Sequence, residues 1–425
     1  MRTPDRPSSY PSSGRSCRIA DLLPDQSATI AGRVTEHSNR LILSDETGSV
    51  PLEGMPEAAS PGDIIDATGI WRPPTFQVEC WKPLVLSKRP PNPVSERARE
   101  RIRQRAEILH TIRVFFRDRG FLDVETPAIV RLPGMEPHLT PFQTGSSASP
   151  GEERYLHTSP EFAMKRMLAQ GFERIFQICK VFRDEPAGTM HNPEFTMLEW
   201  YRAYADITHI MEDTENLASD IAQRLLGSSR IRYRNRDIDL SPPWERLSVT
   251  EAMEKHAGVP LDLSGDLSRF PAIAREHGHR HVSADDDFET AFFKVFLDTV
   301  EPHLGSPVPT FLTDYPASMA ALAKVKEGAA HLADRVEVYV GGVELANGFT
   351  ELNDPVEQRT RFKKEAAERH ALYGSSHPID ESFLQALEAG MPPSGGIALG
   401  VDRLVMLLTG ATSIRDVIAF PWPEL

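Results

Sequence analysis

The chain has 425 residues, which at about 100–200 residues per domain suggests two or three domains. It is 40% hydrophobic and 25% charged, ample for a packed core, and no run approaches the roughly 18 apolar residues of a membrane-spanning helix. A net charge of −14 disfavours non-specific phosphate binding, so bulk nucleic-acid binding is not expected. Cys17, Cys80 and Cys179 show no CxxC spacing, and the N-terminal residues contain no secretory apolar segment. Together these argue against a disulfide framework or thiolate zinc site and favour the reducing cytoplasm.

Residues 1–17 are rich in Pro, Ser and Arg, and the reading expects a disordered tail over 1–24. Five short β-like runs follow within 25–90, split by Gly, Pro, Asn or Asp, and suit a small OB-like β-barrel or another small β-domain. KRPPNPVS at 88–95 reads as a linker, because its prolines stop strand and helix alike. Residues 91–425 are expected to form one larger domain. It opens with a long helix bearing Ile102, Ile108, Leu109, Ile112, Phe115 and Phe116 at 3–4 spacing, ended by Gly120. FLDVETPAIV reads as a strand, and 145–154 as a polar loop or hairpin tip. RIFQICKVFRDE and HNPEFTMLEWYRAYAD read as two strands, followed by helices at 207–226, 249–257 and 287–304. Two strands surround Gly341-Gly342, helices cover 355–373 and 380–390, and SGGIALGVDRLVMLLTG is strand, turn, helix. Strands that connect as neighbours, without βαβ alternation, favour an α+β fold with an antiparallel sheet flanked by helices.

Three segments carry chemistry. In a strand, Phe195, Met197, Glu199 and Tyr201 share a face. A carboxylate there suits a pocket wall taking an amine; the same spacing also fits an edge strand with a solvated Glu. Glu337, Glu344, Asn347 and Glu351 cluster in the second hairpin, where they could hold Mg²⁺ or an ammonium, or merely face solvent. In the third segment, small residues at 395–400 let a ligand approach the backbone, and Arg403 falls in the first helical turn beyond them. No GK[ST] follows, so this is not a P-loop.

Taken together, the segments resemble the three motifs of class II aminoacyl-tRNA synthetases over about 95–425. The long helix with FLDVETP resembles motif 1, FRDE…HNPEFTMLEWY motif 2, and GGIALGVDRL motif 3. TSPEFAMKRML, HNPEFTMLEWY and VELANGFTEL resemble the lysine-type branch, and 25–90 a shortened version of its OB domain. Within that branch the chain resembles the ligases that join (R)-β-lysine to elongation factor P more than the lysyl-tRNA synthetases. The N-terminal β-region is short, and over 27–90 it carries six Lys and Arg against eight Asp and Glu. The connection to motif 1 is also short, the motif 2 loop Pro186–Met190 has no cation, and Ala398 stands where the synthetase pattern has Gly. HLTPFQT at 138–144 is ligase-like too.

The resemblance implies an ATP-dependent ligase that activates lysine or β-lysine as an adenylate and passes it to elongation factor P. It implies a homodimer built through the motif 1 helix, with Mg²⁺ bound, and tRNA is disfavoured as a partner. Lysyl-tRNA charging and a non-catalytic paralogue are the alternatives. By the same resemblance, Arg183 and Arg403 are catalytic, holding the α-phosphate and γ-phosphate ends of ATP. Phe195 stacks the adenine, Glu185, His191 and Asn192 position the nucleotide, and Glu337 and Glu344 hold the metal. Glu199, Tyr201 and Glu351 meet the side-chain ammonium, Glu161 the other amine and Asn347 the carboxylate, with Ala398 shaping the wall.

Overall fold

A computed structural model describes residues 13–38, 40–55, 59–87 and 96–424, so half of the expected tail, 1–12, and all of the linker at 88–95 lie outside the described residues. The chain divides into two compact units, Met1–Glu96 and Arg97–Leu425.

The first unit contains β1 (Ser27–His37), β2 (Arg40–Ser44), β3 (Ser49–Glu53), β4 (Ile64–Arg72) and β5 (Thr75–Val85). They close in the order β1-β2-β3-β5-β4, with β3 and β5 parallel. The buried side is the alternating apolar set, including Ile30, Val34, Leu43, Ile65 and Phe76. A bulge at Thr68–Gly69 in the β4–β5 pair brings backbones together where no side chain fits: a Cβ on Gly69 would lie 2.0 Å from the Gln77 carbonyl oxygen. The OB-like designation goes no further than the sequence resemblance that suggested it, and these strands are defined by their pairing alone.

The second unit begins with α1 (Glu96–Asp118), β6 (Leu122–Asp123), β7 (Ile129–Val130), β8 (Gln143–Ser146), β9 (Ser149–Leu156) and α2 (Glu161–Ala169). There follow β10 (Arg174–Phe182), β11 (Glu194–Ala203), α3 (Ile207–Leu226), β12 (Arg230–Tyr233), β13 (Arg236–Asp239) and β14 (Glu245–Ser248). Helices α4 (Val249–Ala252), α5 (Phe270–Glu276) and α6 (Phe288–Val295) lead to β15 (Thr310–Pro316), β16 (Leu332–Tyr339) and β17 (Glu344–Thr350). The chain ends with α7 (Pro355–Tyr373), α8 (Glu381–Glu388), β18 (Ser394–Gly400) and α9 (Val401–Thr409).

Eight strands form one sheet in the order β14-β15-β16-β17-β18-β11-β10-β6. The expected antiparallel sheet is corrected to a mixed one, because β14–β15 and β6–β10 run parallel. The reason lies in the connections: β14 reaches β15 only after a helical crossover, which returns the chain in the same direction. FLDVETPAIV is not one strand but two short ones, β6 and β7, separated by irregular backbone around Pro127, which has no N–H to pair. On α1, Ile108, Ile112, Phe115 and Phe116 are buried, whereas Ile102, counted with that stripe, is 38% exposed. Phe116 stacks on Phe176 at 4.9 Å between centroids.

Period two then assigns the two faces of the central strands. Leu198, Trp200, Ile397 and Leu399 pack into the core shared with α1, α3 and α9. Met197, Glu199, Tyr201 and Ala398 face the other way and line a cavity.

Candidate active site

The floor of the cavity is a row of cross-strand neighbours. Ala398 on β18 lies opposite both Glu199 on β11 and Asn347 on β17, and Asn347 lies opposite Glu337 on β16. Gly396 is required one pair along, because a Cβ there would sit 2.4 Å from both Glu351 Oε1 and the Tyr201 ring. The cavity measures about 390 Å³. Every sequence-predicted site residue except Glu337 lines it, although the segments come from α2, three strands, two loops and α9.

One end is acidic and buried. Glu199 is 1% exposed, and accepts hydrogen bonds from Ser159 Oγ at 2.6 Å and Tyr201 Oη at 2.9 Å. Burial, reinforced by Glu161, pushes its carboxyl up to about 8. Glu351 is equally buried, its Oε1 lacks a partner, and burial against the opposing pull of Lys165 leaves it at about 7. Lys165 was missed in the sequence. Its Nζ is fully buried and lies 2.5 Å from both Glu161 Oε1 and Glu351 Oε2. Burial works against this ammonium, but the two carboxylates hold its pKa above the ordinary value. The i,i+4 spacing of Glu161 and Lys165 on α2 was the available signal.

The other end carries the arginines. The Arg183 guanidinium sits 5.3 Å from the Phe195 ring centroid, and its buried Nε has no partner. Arg403 Nη1 donates to the Glu344 carbonyl at 2.7 Å and lies 3.4 Å from Glu344 Oε2. The neighbouring Asp402 is fixed by Arg105 Nη1 at 2.5 Å and by the Thr196 N–H at 2.7 Å, which ties α1 to the first turn of α9. His191 on the rim is held below its ordinary pKa by desolvation and by Arg403, so the ring is neutral at pH 7. Asn192 is already committed: Nδ2 donates to the Glu194 carbonyl at 2.6 Å, and Oδ1 accepts from the Trp422 N–H at 3.0 Å. Glu185 also lines this end. Cys179, pushed up to about 12 by burial and Glu199, is a neutral thiol.

Glu337 sits behind the wall rather than in it. Tyr315 and Tyr339 hydroxyls donate to its Oε2 at 2.5 and 2.6 Å, and Arg335 Nη2 contacts Oε1 at 2.6 Å. Neither tyrosine nor Arg335 was foreseen. Among the described residues no three His, Cys, Asp or Glu side chains gather as a metal-ligating group. Glu344 and Glu337 supply two carboxylates, and burial and Glu337 together hold the Glu344 carboxyl above its ordinary value. Of that pair only Glu344 faces the cavity, since both oxygens of Glu337 are engaged by Tyr315, Tyr339 and Arg335.

Residues 84–423 match the family described as tRNA synthetases class II (D, K and N). The chain is 43% identical over 329 residues to a lysine–tRNA ligase of Pelotomaculum thermopropionicum, covering 77% of this chain and 64% of that one. A lysine–tRNA ligase of Prochlorococcus marinus is 36% identical over 433 residues, covering 95% of this chain and 84% of the relative. An elongation factor P–(R)-beta-lysine ligase of Sodalis glossinidius is 44% identical over 321 residues, covering 75% and 93%. The chain thus spans less than two thirds of the length of the first of these relatives.

The expectation that tRNA is disfavoured does not survive, since relatives this similar are named for tRNA charging. Its physical basis was also incomplete. The loop at 186–190 has no cation of its own, but Arg234, from the β12–β13 turn, reaches Met190 Sδ at 3.6 Å. Among the described residues no helix is long and apolar enough to cross a membrane.

Proposed function

Because the chain belongs to the class II aminoacyl-tRNA synthetases, in the lysyl-tRNA ligase family, we propose that its cavity joins a lysine-type amino acid to AMP and that tRNA is the acceptor of the activated residue. The observation that carries the first half is the division of one cavity into a buried acidic end and an arginine end. A diamino acid brings the cations that the acidic end lacks, and ATP the anions that the arginine end lacks. The tRNA acceptor rests on the relatives named for it.

In this reading the side-chain ammonium enters between Glu199, Tyr201 and Glu351, and Glu161 takes the second amine. Asn347 orients the carboxylate towards the α-phosphorus. Arg183 spans the carboxylate and α-phosphate, so two anions are held in line against their repulsion. Phe195 stacks the adenine, Glu185 and His191 position the nucleotide, and Arg403 takes the far phosphates. Asn192 acts by bracing the loop, since its amide is spent on backbone. Mg²⁺, held by Glu344 with Glu337 behind, would neutralise phosphate charge. The carboxylate oxygen attacks phosphorus, pyrophosphate leaves, and the ribose hydroxyl of the acceptor then displaces AMP to give an ester. No enzyme-bound covalent intermediate is needed.

A second reading, transfer of (R)-β-lysine to a lysine amine of elongation factor P, is favoured by Ala398. Its methyl lies between Glu199 and Asn347, on the wall along which the substrate runs from its side-chain ammonium to its carboxylate. One methyl is worth about 1–3 kcal/mol of discrimination. The relative of that name is also matched over 93% of its length. The test is lysine-dependent ATP–pyrophosphate exchange, followed by transfer of labelled lysine or β-lysine to tRNA and to elongation factor P. Label in tRNA supports the first reading and label only in the factor replaces it with the second. Absence of exchange contradicts both.

A further inference from the structure

Two carboxylates in the cavity have no part in the scheme above. Glu136 lies in the loop between β7 and β8, and Glu365 in the middle of α7; both line the cavity. The helix is set by its ends, with Asp354 accepting from the Val356 and Glu357 N–H groups and Gly374 in the left-handed conformation at the other terminus. One turn beyond Glu365, Arg369 Nη1 donates to the carbonyls of Pro137 at 2.9 Å and Leu139 at 2.8 Å. Residues four apart share a helix face, so this clamp holds the Glu136 loop against the face that carries Glu365.

The two groups are also short of partners. Glu136 Oε2 is buried with no hydrogen-bond partner, and it folds over Gly134 so closely that a Cβ there would lie 2.0 Å away. Glu365 has no hydrogen bond or ion pair among the described residues. The cation nearest in effect, Arg361, is spent on Glu357 and on the carbonyls of Ala321 and Ala323. Lys165 is spent on Glu161 and Glu351. Burial and mutual repulsion show in the pKa values: burial and then Glu161 raise Glu136, while burial and then Glu136 push Glu365 up to about 8.

We propose that Glu136 and Glu365 form a further ammonium subsite, taking a primary amine other than the one held between Glu199 and Glu351. A primary ammonium has three donors and suits a site with unfilled acceptors on two facing elements. This rests on the activation reading. The amine has two sources: the amino group beside the reacting carboxylate of the amino acid, which the subsite would then share with Glu161, the charge acting most strongly on Glu136, or an acceptor amine approaching the adenylate. In the second case the ammonium first gives one proton to one of the two carboxylates, the freed amine nitrogen bonds to the carbonyl carbon, the carbon–oxygen bond to AMP breaks with AMP taking the electron pair, and the second proton passes to the other carboxylate.

The experiment uses the full chain and the variants Glu136→Gln and Glu365→Gln. Calorimetry measures binding of lysine and of 6-aminohexanoate, which lacks the amine beside the carboxylate. AMP release from the preformed lysyl-adenylate complex is followed with Nα-acetyl-lysinamide as the amine probe. If the subsite takes the substrate's own amine, lysine affinity falls about tenfold or more and 6-aminohexanoate affinity changes less than about twofold, the pattern of one lost charge-assisted contact. If it takes an acceptor amine, both affinities hold and the probe-dependent release slows about tenfold. No response of any readout in either variant overturns the subsite while leaving the activation reading intact. Absence of pyrophosphate exchange in the wild type overturns the activation reading and the subsite with it. Should Glu136→Gln fail to fold, the more exposed Glu365→Gln decides alone.

Discussion

The two ends of the cavity solve opposite electrostatic problems in different ways. At the acidic end the carboxylates are desolvated, packed on the sheet and neutralised internally by one lysine, so the end is fixed before anything binds. At the arginine end the guanidinium groups are only partly buried, lean on a ring or a carbonyl, and keep donors to spare. The contrast teaches that the acidic end is built for selection and the arginine end for holding a large, solvated polyanion. Buried acids penalise any occupant without a matching ammonium, whereas exposed arginines accept phosphate with little reorganisation.

The sharpest way to break that contrast is to remove the internal cation. Lys165→Met leaves Glu161 and Glu351 facing each other in the buried end, and should destabilise the fold by about 3–5 kcal/mol, read by denaturant unfolding. An unchanged midpoint would mean that the lysine is not the neutralising group. Glu199→Gln should leave stability intact or raise it, because a buried carboxylate is lost. It should reduce lysine-dependent exchange about 100-fold, while the KM for ATP moves little.

These predictions depend on features that the sequence revealed unevenly. The pocket face of β11 was legible because period two is a local signal, and the structure places Phe195, Met197, Glu199 and Tyr201 on one cavity wall. The convergence of Arg183, Glu351 and Arg403 was carried only by resemblance, because it depends on strand order across an eight-stranded sheet that local pattern does not encode. Lys165 escaped notice because a lysine on an amphipathic helix ordinarily reads as solvated, and Glu365 did so for the same reason. Glu337 was assigned to the cavity although two tyrosines and an arginine enclose it: Arg335 and Tyr339 flank it at period two on β16, a local signal that went unused, whereas Tyr315 comes from β15 at a distance the sequence cannot show. The parallel edges of the sheet were lost because short strands β6 and β14 carry too few residues to announce their direction.

Smaller effects sharpen the comparison further. Ala398→Gly should shift preference from β-lysine towards α-lysine by about 1–3 kcal/mol in exchange assays, and an unchanged ratio would show that the methyl does not discriminate. Acidity should separate the ends more gently. The carboxyls of Glu199 and Glu351 titrate at about 8 and about 7, above their ordinary range. With folded values raised, their contribution to stability is full below the ordinary carboxylate range and is lost as pH rises through about 7–8. Lysine needs the ionised forms, so its KM should rise several-fold as pH falls through about 8 to 6, while the unliganded protein grows more stable over the same interval. A lysine KM flat across that range would contradict the assignment of these acids to the ammonium.

The most direct test is pyrophosphate exchange into ATP with lysine and with norleucine, which keeps lysine's carbon skeleton but lacks the side-chain ammonium. Exchange with lysine and none with norleucine is the expected result. Equal exchange with both, or none with lysine, would contradict the account.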